Sequence, residues 1–376
     1  MRKICPPQNV AGSPGPGNKF SSTRLSRGYM SISIRKTLSY TVSGVITILF
    51  LWLAFRGTDL RDVYGSIQGV NLWWMVVAAM LLVISMFFRA YRWRFFLAPL
   101  KKDLRRRNLL SGVTLGYLLN NFLPRAGEIV RAYSVARLES IPMSAVFGSI
   151  VVERVLDLVI MIVMLLMLPL VYHGPLMDVL PWLQQTQVTA GAVVVFFCAG
   201  IFIALWRRGF AERVLSRIAR LLPNGIGQRV EGTGRSFLDG FLFLREPGSF
   251  VPIVVWTVVL WASYVFMVYA GLVAFGLHER LGLSGAWVVL AISTIGVAIP
   301  TPGATGTYHF FVSAALTGLY GIDAPTALSY ATVSHATTFL GTTLIGVGFL
   351  FVDQIRITTL FGAVERRGLE GATRSE

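Results

Sequence analysis

Apolar residues fill about six stretches of membrane length, 37–55, 72–93, 146–172, 188–206, 251–276 and 326–352, each able to cross a hydrocarbon core of about 30 Å as a helix. Two further stretches, 109–138 and 286–321, are apolar but interrupted. The first breaks at Asn120-Asn121-Phe122-Leu123-Pro124-Arg125-Ala126-Gly127-Glu128, the second at Ile299-Pro300-Thr301-Pro302-Gly303-Ala304-Thr305-Gly306. Proline removes a backbone donor and glycine lets the chain turn, so Pro124, Gly127, Pro300, Pro302, Gly303 and Gly306 are the expected hinges. Irregular backbone at bilayer depth is tolerated only where protein buries it or a wet cavity borders it. Paired broken helices in corresponding units are the pointer to a transporter's binding site.

The charges between these stretches set their direction. Arg35 and Lys36 precede the first crossing, eight basic residues lie between Arg89 and Arg107, and 207–250 is rich in arginine. The loop 173–187 has neither Lys nor Arg, and 56–71 has two of each sign. The positive-inside rule then puts both termini, 89–107 and 207–250 in the cytoplasm. That parity is kept only if 109–138 enters and leaves on the cytoplasmic face, and 286–321 starts and ends outside, as a second re-entrant hairpin or as two short crossings. The expected fold is an all-α polytopic membrane protein with about six full crossings and two re-entrant or broken-helix hairpins in an inverted repeat. Pro142 and Pro325 open the long helix after each hairpin.

Composition agrees: 54% of the 376 residues are hydrophobic, 14% are charged and mean hydropathy is +0.64. The net charge of +16 sits in blocks beside apolar runs, which fits orientation and anionic lipid, and no nucleic-acid partner is expected. Cys5 and Cys198 have no motif spacing, so neither a disulfide framework nor a metal site is indicated. Residues 1–34, rich in Gly, Pro, Ser and Arg, read as a disordered tail; 35–355 form the membrane domain and 356–376 a cytoplasmic tail. Within 207–250, Phe210, Val214, Ile218 and Leu221 share one helical face and Arg213, Arg217 and Arg220 another. Such a helix suits a membrane surface, or equally the underside of the protein itself.

Glu153, Arg154 and Asp157 stand at the start of an apolar run, where each unpaired charge would cost about 3 kcal/mol at the bilayer centre. They are therefore expected to face the bundle interior or a wet groove. Arg154 and Asp157 are three apart and can meet on one helical face. Glu153 needs a partner from elsewhere, and the first hairpin offers Arg125 and Arg131 with Glu128 between them. A network of these six groups would either pin the hairpin to the helix or hold a lipid phosphate, which arginine grips with two hydrogen bonds. Asn120 and Asn121 either cap the break or line the groove. His335 is the second unit's candidate proton-linked group, with ordinary packing as the alternative. Arg89, Arg92 and Trp93 end the second crossing as an interfacial anchor would.

Arg89-Ala90-Tyr91-Arg92-Trp93, Asn121-Phe122-Leu123-Pro124-Arg125-Ala126-Gly127-Glu128-Ile129-Val130-Arg131-Ala132, Glu153-Arg154-Val155-Leu156-Asp157 and Pro302-Gly303-Ala304-Thr305-Gly306 resemble the membrane domain of lysylphosphatidylglycerol synthase/flippase proteins. The likeness runs from about residue 40 to 352 and is most specific over 117–158. It implies a domain that moves a lipid between leaflets. In that family a separate soluble domain attaches lysine to phosphatidylglycerol; this chain ends soon after its last crossing, so a stand-alone translocator-like domain is expected rather than aminoacyl transfer. The family pattern has a basic residue near the place of His335, which leaves a fixed charge there in doubt.

The leading expectation is a flippase-like translocator in a prokaryotic cytoplasmic membrane. It would carry a phospholipid or another anionic or isoprenoid lipid through a polar groove between the hairpins. Arg125, Arg131, Arg154, Glu128, Glu153, Asp157 and Asn121 would line the headgroup site. The alternatives are a membrane-embedded transferase acting on a lipid-linked substrate, and a scaffold for a lipid-biosynthetic enzyme. No H-E-x-x-H, G-x-S-x-G or Walker-type loop occurs, so neither a catalytic motif nor a cofactor is indicated.

Overall fold

The computed structural model describes residues 41–172, 174, 192, 208–221, 224–240, 242–245 and 247–354. The 1–34 tail, the 356–376 tail and, position 192 apart, the 188–206 crossing lie outside these residues. Among the described residues every regular element is helical. In chain order they are α1 (Thr41–Phe55), α2 (Leu60–Gln68), α3 (Leu72–Leu97), α4 (Arg106–Phe122), α5 (Gly127–Glu139), α6 (Met143–Leu166), the short α7 (Leu168–Val171), α8 (Arg208–Arg220), α9 (Asn224–Asp239), α10 (Pro247–Ala274), α11 (His278–Ala298), α12 (Thr307–Tyr320) and α13 (Ala324–Val352).

Among the described residues, four helices, α3, α10, α11 and α13, are long and apolar enough to cross a membrane, and a fifth span arises if α1 and α2, bent by 78°, are taken together. The protein is a multi-pass membrane protein. Helix α6 has the length, 24 residues, but carries Glu153, Arg154 and Asp157 in its middle. The expected short first arm of the second hairpin is instead the 21-residue α11, while α12 has 14 residues. Leu281, Val288, Val289, Leu290 and Ile292 of this helix are buried in one apolar core, and Gly282, with φ +60° and ψ −164°, kinks it one residue after Leu281.

Several helices start or stop for a local reason. Asn71 caps α3 by accepting from the Trp73 amide at 3.1 Å, and Asp323 caps α13 through the Thr326 amide at 3.0 Å. Gly321, in the left-handed region, closes α12. The first hairpin turns at Leu123-Pro124-Arg125-Ala126, and Asn120 Oδ1 accepts from the Gly127 amide at 2.8 Å, satisfying the first donor of α5. A Cβ on Gly127 would stand 2.0 Å from the carbonyl oxygen of Gly116, so only glycine lets these arms close. In the second hairpin a Cβ on Gly296 would lie 2.8 Å from the Thr307 carbonyl oxygen.

Helices α3 and α10 pack antiparallel: the Asn71 amide donates to the Ala274 carbonyl at 2.9 Å, Tyr91 meets Trp256 edge-on at 4.7 Å, and Phe96 packs at 4.6 Å against Phe243, in the short turn before α10. Around this pair lie the two largest apolar cores among the described residues. One gathers α10 to α13 with Met164 and Leu168; the other gathers α3 to α6 around Trp93, Phe96 and Ile150. The breaks of the two hairpins meet beside α13. Asn121 Nδ2 donates to Thr342 and Thr343 hydroxyls, each at 2.9 Å. His335 Nε2 lies 2.8 Å from the Gly303 carbonyl. Phe122 and Phe339 rings pack at 6.0 Å.

Candidate functional site

Three helices bring ionised side chains to one buried place: α3 supplies Arg89 and Arg92, α5 supplies Arg131, and α6 supplies Glu153 and Asp157. Arg131 grips Glu153 with two hydrogen bonds, of 3.0 and 2.6 Å. Arg89 Nη1 donates to Glu153 at 2.6 Å and to Asp157 at 3.0 Å. Arg92 lies 2.9 Å from Asp157 and 3.2 Å from Glu153. The Arg131 guanidinium stacks 3.7 Å over the Trp93 ring, whose Nε1 donates to Ser149 at 3.1 Å. Arg89 also donates to Tyr264 of α10 at 3.2 Å, and Arg92 to Thr257 of α10 at 3.3 Å. Arg92 and Glu153 are 0% exposed and Arg131 3%. A charge so enclosed persists only when paired and hydrogen-bonded. This inner cluster therefore ties α3, α5, α6 and α10 together.

Arg154 and Glu128 form the outer part. Arg154 is 43% exposed and lies 3.8 Å from Glu128, 3.9 Å from Glu153 and 4.0 Å from Asp157, too far for a good hydrogen bond. Glu128 Oε2 is buried without a hydrogen-bond partner among the described residues. Beside them runs a cavity of about 210 Å³ along α5 and α6, lined by Glu128 and Arg154 and by apolar Phe147, Ile150, Val151, Val155 and Leu158. Across both layers, four guanidinium groups face three carboxylates.

Of the residues expected at the site, Glu128, Arg131, Glu153, Arg154 and Asp157 come together. Arg125 does not: it is exposed at the hairpin tip with φ +63°, and its side chain makes no ion pair among the described residues. The three-residue spacing to Glu128 crosses the break, where helical periodicity does not hold, because α5 begins at Gly127. Asn121 lies outside the cluster and tethers the break to α13; Asn120 is the cap. Arg89 and Arg92, expected to anchor an interface, are instead the inner partners of Glu153 and Asp157. Their spacing of three in an apolar helix was the signal, obscured by the neighbouring Trp93.

The second break is nearly uncharged. Gly303 and Gly306 take φ +56° and +84°, Thr301 and Thr307 hydroxyls pair at 3.1 Å, and the His335 ring lies 4.7 Å from that of His309. At the charged end of the bundle, Glu139 accepts from Lys101 at 2.7 Å, Asn108 at 2.8 Å and the Arg105 amide at 3.0 Å. Burial would raise its carboxyl, but these hydrogen bonds hold it below the usual carboxylate range. Asp353 accepts from Ser111 and Arg107, joining α13 to α4.

The chain resembles a UPF0104 membrane protein of Methanocaldococcus jannaschii, 30% identical over 34% of this chain and 38% of that protein. It is also similar to the glycosyltransferase AglD of Haloferax volcanii, 23% identical over 90% of this chain but only 58% of that protein. A UPF0104 membrane protein of Pyrococcus horikoshii is 22% identical over 83% of this chain and 96% of its own length. The profile of the lysylphosphatidylglycerol synthase TM region matches residues 40–346. The chain belongs to the family of the lysylphosphatidylglycerol synthase transmembrane region.

Proposed function

We propose that the protein moves a phospholipid, or another anionic or isoprenoid lipid, between the leaflets of a prokaryotic cytoplasmic membrane. The observation that carries this reading is the half-open arginine, Arg154, set over an apolar cavity at the edge of a cluster with one guanidinium in excess. A phosphate completes that balance and takes two hydrogen bonds from arginine, while acyl chains follow the apolar wall formed by α6. The inner residues Arg89, Arg92, Arg131, Glu153 and Asp157 hold the frame, and Arg154 with Glu128 meets the headgroup. Both termini lie in the cytoplasm in this reading. The units α3–α6 and α10–α13 form an inverted repeat, with re-entrant or broken-helix hairpins whose hinges are Pro124 and Gly127, and Pro300, Pro302, Gly303 and Gly306. Rocking one unit on the other exposes the groove to each leaflet in turn, with His335 as the candidate proton-linked group at the second break.

The test is leaflet exchange of a fluorescent anionic phospholipid in vesicles holding the purified protein. Arg154→Gln is expected to lower the exchange rate at least tenfold, with unfolding temperature nearly unchanged because the side chain is partly solvated. Exchange equal to protein-free vesicles in the native protein would refute the reading.

A second reading rests on the similarity to a protein named glycosyltransferase AglD: a transferase acting on a lipid-linked substrate, or the scaffold of a lipid-biosynthetic enzyme. Turnover of a lipid-linked sugar by the purified protein, without exchange, would favour the transferase.

A further inference from the structure

Helix α8 has three faces. At 100° per residue, Arg213, Arg217 and Arg220 fall within about 60° of one another, and all three are exposed. Leu215 and Ala219 lie on a second face: Ala219 is buried, and a Cβ on Gly234 of α9 would meet the Leu215 side chain at 2.6 Å. Between the two faces, about 100° from the arginines, stand Ile218 and, in the turn directly after Arg220, Leu221, 50% and 86% exposed. Helix α9 in turn rests on α6, where Cβ atoms on Gly148 and Gly240 would lie 2.4 Å from the Phe237 and 2.3 Å from the Ala145 carbonyl oxygens. It leads within a few residues to Pro247, the first residue of α10, a membrane-length helix. Helix α8 thus stands beside the place where the chain enters the apolar layer.

We propose that α8 lies on the anionic lipid surface of the protein's own bilayer, inserting Ile218 and Leu221 at the headgroup boundary while Arg217 and Arg220 contact lipid phosphates. Packing on α9 uses one face only and leaves the apolar arc uncovered among the described residues. An arc with a cationic stripe on its flank is the arrangement that an interfacial helix needs, since the arginine stems run along the apolar layer and the guanidinium groups stay in the headgroups. A soluble partner would need a far wider apolar patch than two side chains. A lipid surface is already at hand, and its charge is complementary. Each arginine near such a surface multiplies the ratio of docked to undocked helix about fivefold at low salt.

The full-length protein, with Cys5 and Cys198 replaced by serine, is labelled with an environment-sensitive fluorophore at Leu221→Cys and placed in two kinds of vesicle. One contains phosphatidylcholine alone, the other equal parts of phosphatidylcholine and phosphatidylglycerol; in both, the quencher is bromine carried on the acyl chains, with aqueous iodide tested separately. Bromine quenching in the anionic vesicles that falls with added salt and in the neutral vesicles supports the proposal. In the Arg217→Gln/Arg220→Gln variant the docked ratio then falls roughly thirtyfold, while a second label at Thr58→Cys, far from α8 in the chain, stays unchanged and reports an intact fold. Equal iodide quenching in both vesicles without bromine quenching overturns the proposal. Protection from both quenchers in both vesicles also overturns it, in favour of a protein surface covering the arc.

Discussion

Glu153 accepts from Arg89 and Arg131 and has Arg92 at 3.2 Å, so its loss strands guanidinium groups in a closed place. Glu153→Gln is expected to cost about 3–5 kcal/mol of stability, read as a lowered unfolding temperature in detergent. Arg92→Met is expected to cost less, because Arg89 and Arg131 then still face Glu153 and Asp157 two to two. A larger loss for Arg92→Met than for Glu153→Gln would contradict the buried charge count. The acidic half of the cluster was legible in the sequence, since ionised groups inside an apolar run demand partners. The basic half was legible only at Arg131 and Arg154. Arg89 and Arg92 were hidden because arginine and tryptophan at a helix end serve equally well as an interfacial anchor, and Arg125 falls outside the cluster because helical spacing does not carry through a break.

The first hairpin offers two predictions at the scale of an element. Gly127→Ala drives a methyl group into the Gly116 carbonyl and the Asn120 side chain; the arms must part, at a cost of about 1–3 kcal/mol. Faster hydrogen exchange in α4 and α5 than in α10 would report it. At the other end of the same hairpin, Glu139 holds the start of α4 through the Arg105 amide and the Asn108 side chain. Its carboxyl is depressed in the folded state, so it contributes stability fully above the unfolded value of about 4.3, and that contribution is lost as pH falls through the lower folded value. Unfolding temperature measured from neutral to acid pH is expected to fall less steeply in Glu139→Gln than in the native protein. The hinges themselves were legible, because Pro and Gly act locally. The length of α11 was not: where a helix ends depends on what receives its side chains, and the partners of Leu281 and Val288 lie on helices far away in sequence.

At the scale of the molecule, the antiparallel pairing of α3 with α10 is compatible with two units of opposite direction, and accessibility decides the matter. With native cysteines replaced, Thr58→Cys and Thr233→Cys, the latter exposed on α9, are expected to react with a membrane-impermeant thiol reagent from opposite sides of sealed vesicles. Labelling of both from the same side would remove the inverted arrangement and the groove argued from it. Helix α13 has a particular place in this architecture. Asn121 of the first break is bound to its Thr342 and Thr343, Gly303 of the second break to its His335, and its end is fastened to α4 through Asp353. One beam therefore bears both hinges. In the proposed translocation, a tilt of that beam would reach the two breaks in the same instant, so that neither would swing without the other. Such linkage would keep the proposed passage from standing open at both mouths.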